Sequence, residues 1–250
     1  MNIPDKIKDY FSITEEWKYD FNNIPKFNNE HESFKWIKEE SGWPFFKLNI
    51  DAPYKEMYNE ALGILDLFND HRVYKNSDGE YESYGWSSVC LHGLDWNKTG
   101  YYTSYDEYKH LEEKDVPYKW CEEITSKCPI TTKFFKEVFP ADGYTRIRFM
   151  KLKPGGYINP HKDMEKPLLY AVNISLNNPD GCRFRMKDKG DIPYSNDGST
   201  FMIDTSNIHS VYNNSNVDRI HMIVHGIYSG PFAKLVDSSF SHLLSKPLYL

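Results

Sequence analysis

Residues 158–163, Ile-Asn-Pro-His-Lys-Asp, put an imidazole (His161) and a carboxylate (Asp163) two positions apart. In extended backbone that spacing sends both side chains to one face, where they can share a metal ion. The pattern alone says little, since nine histidines in a chain rich in aspartate yield roughly one His-x-Asp by chance. A second imidazole, His209, follows 48 residues later at the start of another strand-like run, and Arg219 opens a third run ten residues beyond it. Two histidines and one carboxylate are the donor set of the facial triad that holds non-haem Fe(II), leaving three positions for a bidentate co-substrate and dioxygen. A guanidinium near such a site matches a carboxylate through two parallel hydrogen bonds, which makes a dicarboxylic acid its natural partner. The same three ligands also suit Zn(II) with an open water position, a hydrolytic reading that the donor set leaves standing.

These residues must be brought together by the elements around them. Strand-like runs at 144–152, 168–176, 182–186, 199–203, 208–212 and 219–227 are separated by Gly, Pro, Asn and Asp, the pattern of a sandwich, jelly roll or small barrel. Helical signals come earlier. Asp51 stands as an N-cap and Pro53 in a first turn, with Met57, Ala61, Leu65 and Phe68 recurring as a core-facing stripe. Further helices are expected at 31–40 and at 131–138, the latter ended by Pro140, with turns at 41–44 and 76–79 and a strand at 87–91. The fold class is therefore α+β. The 250 residues read as a single domain: a helical and loop-rich part over 1–140, a β-rich core over 141–230 and a C-terminal extension over 231–250.

Composition narrows the function classes. The chain carries 30 Lys and Arg against 36 Asp and Glu, and no basic run would neutralise a phosphate backbone, so nucleic acid is not the expected partner. The acid excess is uneven, with 17 basic and 26 acidic residues in 1–140 but 11 and 9 in 141–230, which makes the second part the better host for an anion. Cys90, Cys121, Cys128 and Cys182 form no CxxC pair and are expected as reduced thiols in a cytoplasm. There is no secretory pattern at the N-terminus and no long apolar run, so no membrane partner is expected; the oligomeric state is left open.

The ordered set of motifs adds a further reading. A strand and turn (Leu152-Lys153-Pro154-Gly155), then Pro160-His161, then Gly181-Cys182-Arg183-Phe184-Arg185 follow one another. Gly198-Ser199-Thr200-Phe201-Met202-Ile203-Asp204, His209 and Arg219 complete the series. In order and spacing, residues 144–227, roughly a third of the chain, resemble the 2-oxoglutarate- and Fe(II)-dependent oxygenases, and within them the aspartyl/asparaginyl β-hydroxylase family. The resemblance implies a double-stranded β-helix (jelly-roll, cupin-like) core with N-terminal helices packed on it. It implies His161, Asp163 and His209 as iron ligands and Arg219 as the group that binds the distal carboxylate of 2-oxoglutarate. The implied reaction is an O2-dependent oxidative decarboxylation of 2-oxoglutarate coupled to hydroxylation of a C–H bond, most naturally of an amino acid, free or in a peptide or protein.

Two departures from the family pattern matter. The membrane-bound animal members lack the carboxylate ligand, whereas Asp163 completes the triad here and argues against halogenation, which needs that position vacated for chloride. On the following strand, the family's Arg and His that assist 2-oxoglutarate are replaced by Ala171 and Asn173, so Asn173 is left to donate one hydrogen bond. His221 shares strand parity with Arg219 and either reaches 2-oxoglutarate or substrate or makes an internal hydrogen bond.

Other residues carry two readings each. Arg146 and Arg148 project from one face with Met150; if that face is interior, an Arg there, Arg148 in particular, can hold a substrate carboxylate or the C1 end of 2-oxoglutarate, and if exterior both are solvated. Tyr157 either lines the site entrance or packs. Arg183, Arg185, Lys187 and Lys189 are expected on an edge strand, where charge prevents edge pairing. Aromatic and loop residues within 75–129 are expected to frame the mouth and select the substrate. The alternative to an enzyme is a cupin-like barrel that binds a metal or carboxylate without turnover.

Overall fold

The computed structural model describes residues 3–12, 41–71, 83–163 and 171–245. Its strands are β1 (Phe45–Leu48), β2 (Asn69–Asp70), β3 (Ser83–Gly93), β4 (Lys119–Trp120), β5 (Gly143–His161) and β6 (Ala171–Asn177). They continue as β7 (Cys182–Met186), β8 (Gly190–Asp191), β9 (Thr200–Ile203), β10 (His209–Asn213) and β11 (Arg219–Ile227).

Strand β5 organises the rest because it changes partner halfway along. Residues 143–152 pair with β11, whereas Tyr157, Ile158 and His161 pair with β10. The corner between them is Pro154-Gly155-Gly156. Gly155 has φ of 68°, a region that glycine enters without penalty. A Cβ on Gly156 would lie 2.7 Å from the Lys153 carbonyl oxygen and 2.8 Å from Leu152 Cδ1, so the corner closes only without a side chain there.

Two antiparallel layers result. One runs β3-β5-β11-β6-β9-β1 and the other β5-β10-β7-β8. From β5 onward the chain alternates between them: β6 in the first, β7 and β8 in the second, β9 in the first, β10 in the second and β11 back in the first. That winding is a double-stranded β-helix, and with the flanking helices the fold class is α+β.

Strand alternation assigns each face. Ile147 and Phe149 of β5, Met222 and Val224 of β11 and Val172 and Ile174 of β6 point outward, under helices that contribute Met57, Ala61, Phe135, Phe232 and Val236 to the same core. Complete burial of each such side chain contributes about 1.5–3 kcal/mol. The opposite face of the same strands carries Arg146, Arg148, Asn173, Arg219 and His225 and looks into the space between the layers. Met150, Leu152, Ile158, Phe184, Met186, Phe201 and Val211 form a second core in that interlayer space. The outermost β-layer of a typical sheet faces water, but here the helices make the outer face dry and the cavity makes the inner face polar.

Several sequence expectations are corrected. The first long helix is Tyr54–Leu62; Asp51 does not cap it, no side chain does, and it ends at Gly63, so Leu65 falls in a separate short turn (Leu65–Leu67) and Phe68 beyond it. The helix expected at 131–138 begins at Pro129 and widens into a π-helical turn over Phe134–Val138. The strand expected at 87–91 extends over Ser83–Gly93 and, with β1, adds two strands from the N-terminal part to the first layer. Strand β7 is not an edge: it lies between β10 and β8, and Arg183 Nε and Arg185 Nη1 meet Asp191 at 2.6 and 3.4 Å. The helix expected at 31–40 and the turn at 76–79 lie outside the described residues, as do positions 168–170 of the third expected strand. The C-terminal helix Gly230–Ser245 packs Phe240 on Trp43 and Phe46 beside β1. Among the described residues no helix is long and apolar enough to cross a membrane. All four cysteines are free and buried, and burial pushes the Cys121 and Cys128 thiols up to about 12.

Candidate metal centre and active-site cavity

The corner in β5 brings His161 back across the cavity to face β10, where His161 and His209 are cross-strand partners. Their imidazole centroids are 4.3 Å apart. His161 Nε2 lies 3.6 Å from Asp163 Oδ1, and His209 Nε2 lies 4.0 Å from Asp163 Oδ2. One donor atom from each of the three residues falls within 4.8 Å of the other two.

Each imidazole is oriented by its other nitrogen. Nδ1 of His161 is 2.8 Å from the Asn159 carbonyl oxygen, and Nδ1 of His209 is 2.9 Å from that of Asn207. A carbonyl only accepts, so both Nδ1 atoms carry hydrogen, which leaves Nε2 as the atom of each ring able to ligate a metal. The loop before His209 is built for this. Asp204 accepts hydrogen bonds from Ser206 N (3.1 Å), Ser206 Oγ (2.6 Å) and Asn207 Nδ2 (3.0 Å), a turn that fixes the Asn207 carbonyl. Asp163 is anchored through its backbone N–H to the Thr205 carbonyl at 3.1 Å. Phe184 stacks on the His209 ring at 5.6 Å.

These three residues line a cavity of about 410 Å³ between the layers. Arg219 lines it too and is 4% exposed. Its Nη2 lies 2.7 Å from His221 Nδ1, its guanidinium lies 5.9 Å from the Tyr194 ring centroid, and its Nε has no hydrogen-bond partner among the described residues. Burial lowers its pKa, yet a guanidinium stays cationic at neutral pH. A buried cation without a carboxylate beside it is costly, and an anionic ligand removes that cost.

Asn173 lines the cavity next to this group, with Oδ1 2.8 Å from His221 Nδ1. His221 does not line the cavity. It sits fully buried against Arg219 and Tyr194, and burial and the adjacent guanidinium hold its pKa well below the usual histidine value, so it is neutral; its one Nδ1 either accepts from Arg219 or donates to Asn173 Oδ1, according to the tautomer. Arg148 and Arg146 both line the cavity with Met150, which settles their strand face as interior. Tyr157 does not line it: the corner turns it to the outer side, where it packs with Ile7 and Phe11 of the helix Asp5–Ser12.

The remaining wall comes from residues that the sequence marked only as a region. Trp86 of β3 and Asn97, Thr99, Tyr101 and Tyr105 of the loop after it line the cavity, together with His71. His71 Nδ1 lies 3.0 Å from Thr99 Oγ1 and 3.1 Å from Ser88 Oγ, which ties that loop to β3. A loop without periodicity gives no sequence signal for which of its side chains turn inward.

The family model for aspartyl/asparaginyl beta-hydroxylase matches residues 51–227. No curated protein sequence matches the chain. Among solved structures, a Pseudomonas putida prolyl-4-hydroxylase is 11% identical, with 79% of this chain and 97% of that chain covered at a TM-score of 0.42. A viral collagen prolyl hydroxylase from Paramecium Bursaria Chlorella virus-1 is 14% identical, with 73% and 95% covered at a TM-score of 0.36.

Proposed function

The chain belongs to the aspartyl/asparaginyl β-hydroxylase family, and from that premise we propose an Fe(II)- and 2-oxoglutarate-dependent dioxygenase that hydroxylates a C–H bond of an amino acid, free or in a peptide or protein. The observation that carries the proposal is the convergence of His161, Asp163 and His209 in one cavity with the buried Arg219. Two imidazole nitrogens and a carboxylate oxygen fit Fe(II) and would hold it on one face, leaving the other positions open.

When bound, iron and 2-oxoglutarate supply the oxidation: one atom of O2 enters succinate as carbon dioxide leaves, and the other becomes the hydroxyl of the product. The protein's own residues bind and orient. Arg219 takes the distal carboxylate of 2-oxoglutarate, and His221, 2.7 Å from Nη2, packs against that guanidinium. Asn173 offers one amide hydrogen bond near the same co-substrate. Trp86, Phe184 and Ile223 exclude water from the reacting centre, and the wall formed by Thr99, Tyr101 and Tyr105 selects the substrate. Asp163 keeps the carboxylate position filled, which favours hydroxylation over halogenation. No observation favours the non-catalytic barrel.

The test is turnover. Protein purified without oxygen and supplied with Fe(II), 2-oxoglutarate and O2 should form succinate slowly without a substrate, and faster with a cognate amino acid or peptide. Absence of succinate under every condition, with iron bound, would leave only a binding protein.

A further inference from the structure

Arg146 and Arg148 lie in the cavity in rows removed from that of Arg219, with Arg148 level with Asn173 across β11. In the β5–β11 ladder Arg219 faces Leu152, Arg148 faces Ile223 and Arg146 faces His225. The rows are thus four and six residues from that of Arg219, about 13–20 Å at a rise of ~3.3 Å per residue. A five-carbon diacid spans roughly 5 Å between its carboxyl carbons. The backbone rows of these arginines are thus farther from that of Arg219 than the diacid is long.

The two guanidinium groups converge instead on the loop after β3. Arg148 Nη1 donates to the Thr99 carbonyl at 2.8 Å and Arg146 Nη1 to the same oxygen at 3.5 Å, while Arg146 stacks 5.6 Å from the Tyr101 ring centroid. Both are buried, at 8% and 6% exposure for Arg146 and Arg148. Beside them His225 is 5% exposed and lines the cavity, and its Nδ1 has no hydrogen-bond partner among the described residues. Burial, followed by the two arginines, holds the His225 pKa well below its usual value, so it adds a neutral polar group and not a third charge. Among the described residues, the acids that line the cavity are Asp163, at the candidate metal centre, and Asp70, on β2.

We propose that Arg146, Arg148 and His225 form a second anion subsite, separate from that of Arg219, which holds a free carboxylate of the substrate to be hydroxylated. The assignment rests on the dioxygenase reading for the identity of the ligand as substrate. A pair of forked donors fixed by a shared carbonyl suits a planar carboxylate, and an amide in its place would leave buried cationic donors facing another donor. A substrate with a free carboxyl group is thereby selected over its amide.

The test is calorimetric titration, without oxygen, of the Fe(II)- and 2-oxoglutarate-loaded protein with the free L-amino acids and with their primary amides, up to about 10 mM. At least one amino acid should bind, and its amide should bind about ten- to a hundredfold more weakly, as loss of a charge-assisted hydrogen bond implies. Arg148→Gln and Arg146→Gln should weaken the amino acid by a similar factor while 2-oxoglutarate affinity moves less than about twofold, and Arg148→Lys should recover only part of the loss. The acid-amide comparison needs no variant and stands if the substitutions fail to fold. Equal binding of acid and amide, no binding of any amino acid, or an equal loss of 2-oxoglutarate affinity in the variants would overturn the subsite. Succinate formation, measured separately, distinguishes failure of the subsite from failure of the dioxygenase reading.

Discussion

His161 and His209 are direct cross-strand partners, and the turn Asp204–Asn207 and the Gly155-Gly156 corner exist on either side of them. The two imidazoles of the candidate metal centre are therefore set by the β5–β10 ladder, whose register fixes the distance between the rings.

Asp204 touches no ligand atom but holds the Asn207 carbonyl that orients His209. Asp204→Ala is expected to weaken Fe(II) binding about ten- to a hundredfold, the usual cost of losing an outer partner of a metal ligand. Equilibrium dialysis with Fe(II) or Co(II) measures it, and Asp204→Asn, which keeps one acceptor, should recover part of the loss. Unchanged affinity in Asp204→Ala would remove the orienting role.

The β5 corner should tolerate no side chain at Gly156, where a Cβ would meet backbone oxygen at 2.7 Å. Gly156→Ala is expected to cost more than Gly155→Ala, whose penalty is the left-handed backbone alone, about 1–2 kcal/mol. Urea denaturation of the two variants ranks them, and the reverse order would show that the corner relaxes easily.

Acid should destabilise the fold before its carboxylates titrate. Burial lowers the pKa of His92 to about 4, whereas an unfolded histidine titrates near 6.5. Between those values the unfolded chain binds the extra proton, so stability falls as pH drops from 6.5 to 4 and is level with respect to this group outside that window. The contribution is about 3 kcal/mol at most. His221 and His225 act in the same direction. His92→Phe keeps the packing against Trp120 and should flatten the slope of stability against pH by up to one proton; an unchanged slope would contradict the buried neutral state.

Arg219→Gln removes the buried cation at the cavity floor. Affinity for 2-oxoglutarate should fall about a hundredfold, with Fe(II) binding retained, since the loss is one charge-assisted bidentate pair of up to ~3 kcal/mol. Anaerobic titration of the iron-loaded variant reads both quantities. Equal loss of iron and co-substrate would instead indicate collapse of the site.

The second half of the chain was legible because its strands carry period-two alternation between turn residues: 182–186 and 219–227 coincide with β7 and β11. The triad was legible through ordered spacing, which survives when single motifs are uninformative. The face of Arg146 and Arg148 was not legible, since helices bury the outer side of β5 and the alternation shows two buried faces, of which the polar one is the interior. Tyr157 carried two readings because strand parity does not show the glycine corner, beyond which it packs on Ile7 and Phe11, and His221 did likewise because parity points it inward without revealing its buried place beside Arg219 and Tyr194. The loop from Asn97 to Tyr105 holds its inward residues through hydrogen bonds to His71 and the two arginines, contacts between distant segments that no local pattern encodes.

The most direct test is anaerobic titration of iron-loaded protein with 2-oxoglutarate, followed by visible absorption. Chelation of the co-substrate at iron held by His161, Asp163 and His209 should produce a charge-transfer band in the wild type, and admission of O2 should discharge it with formation of succinate. His161→Ala and His209→Ala should show neither. A band that persists in both variants, or a wild type that binds iron and 2-oxoglutarate without one, would contradict the assignment of these three residues as the metal centre.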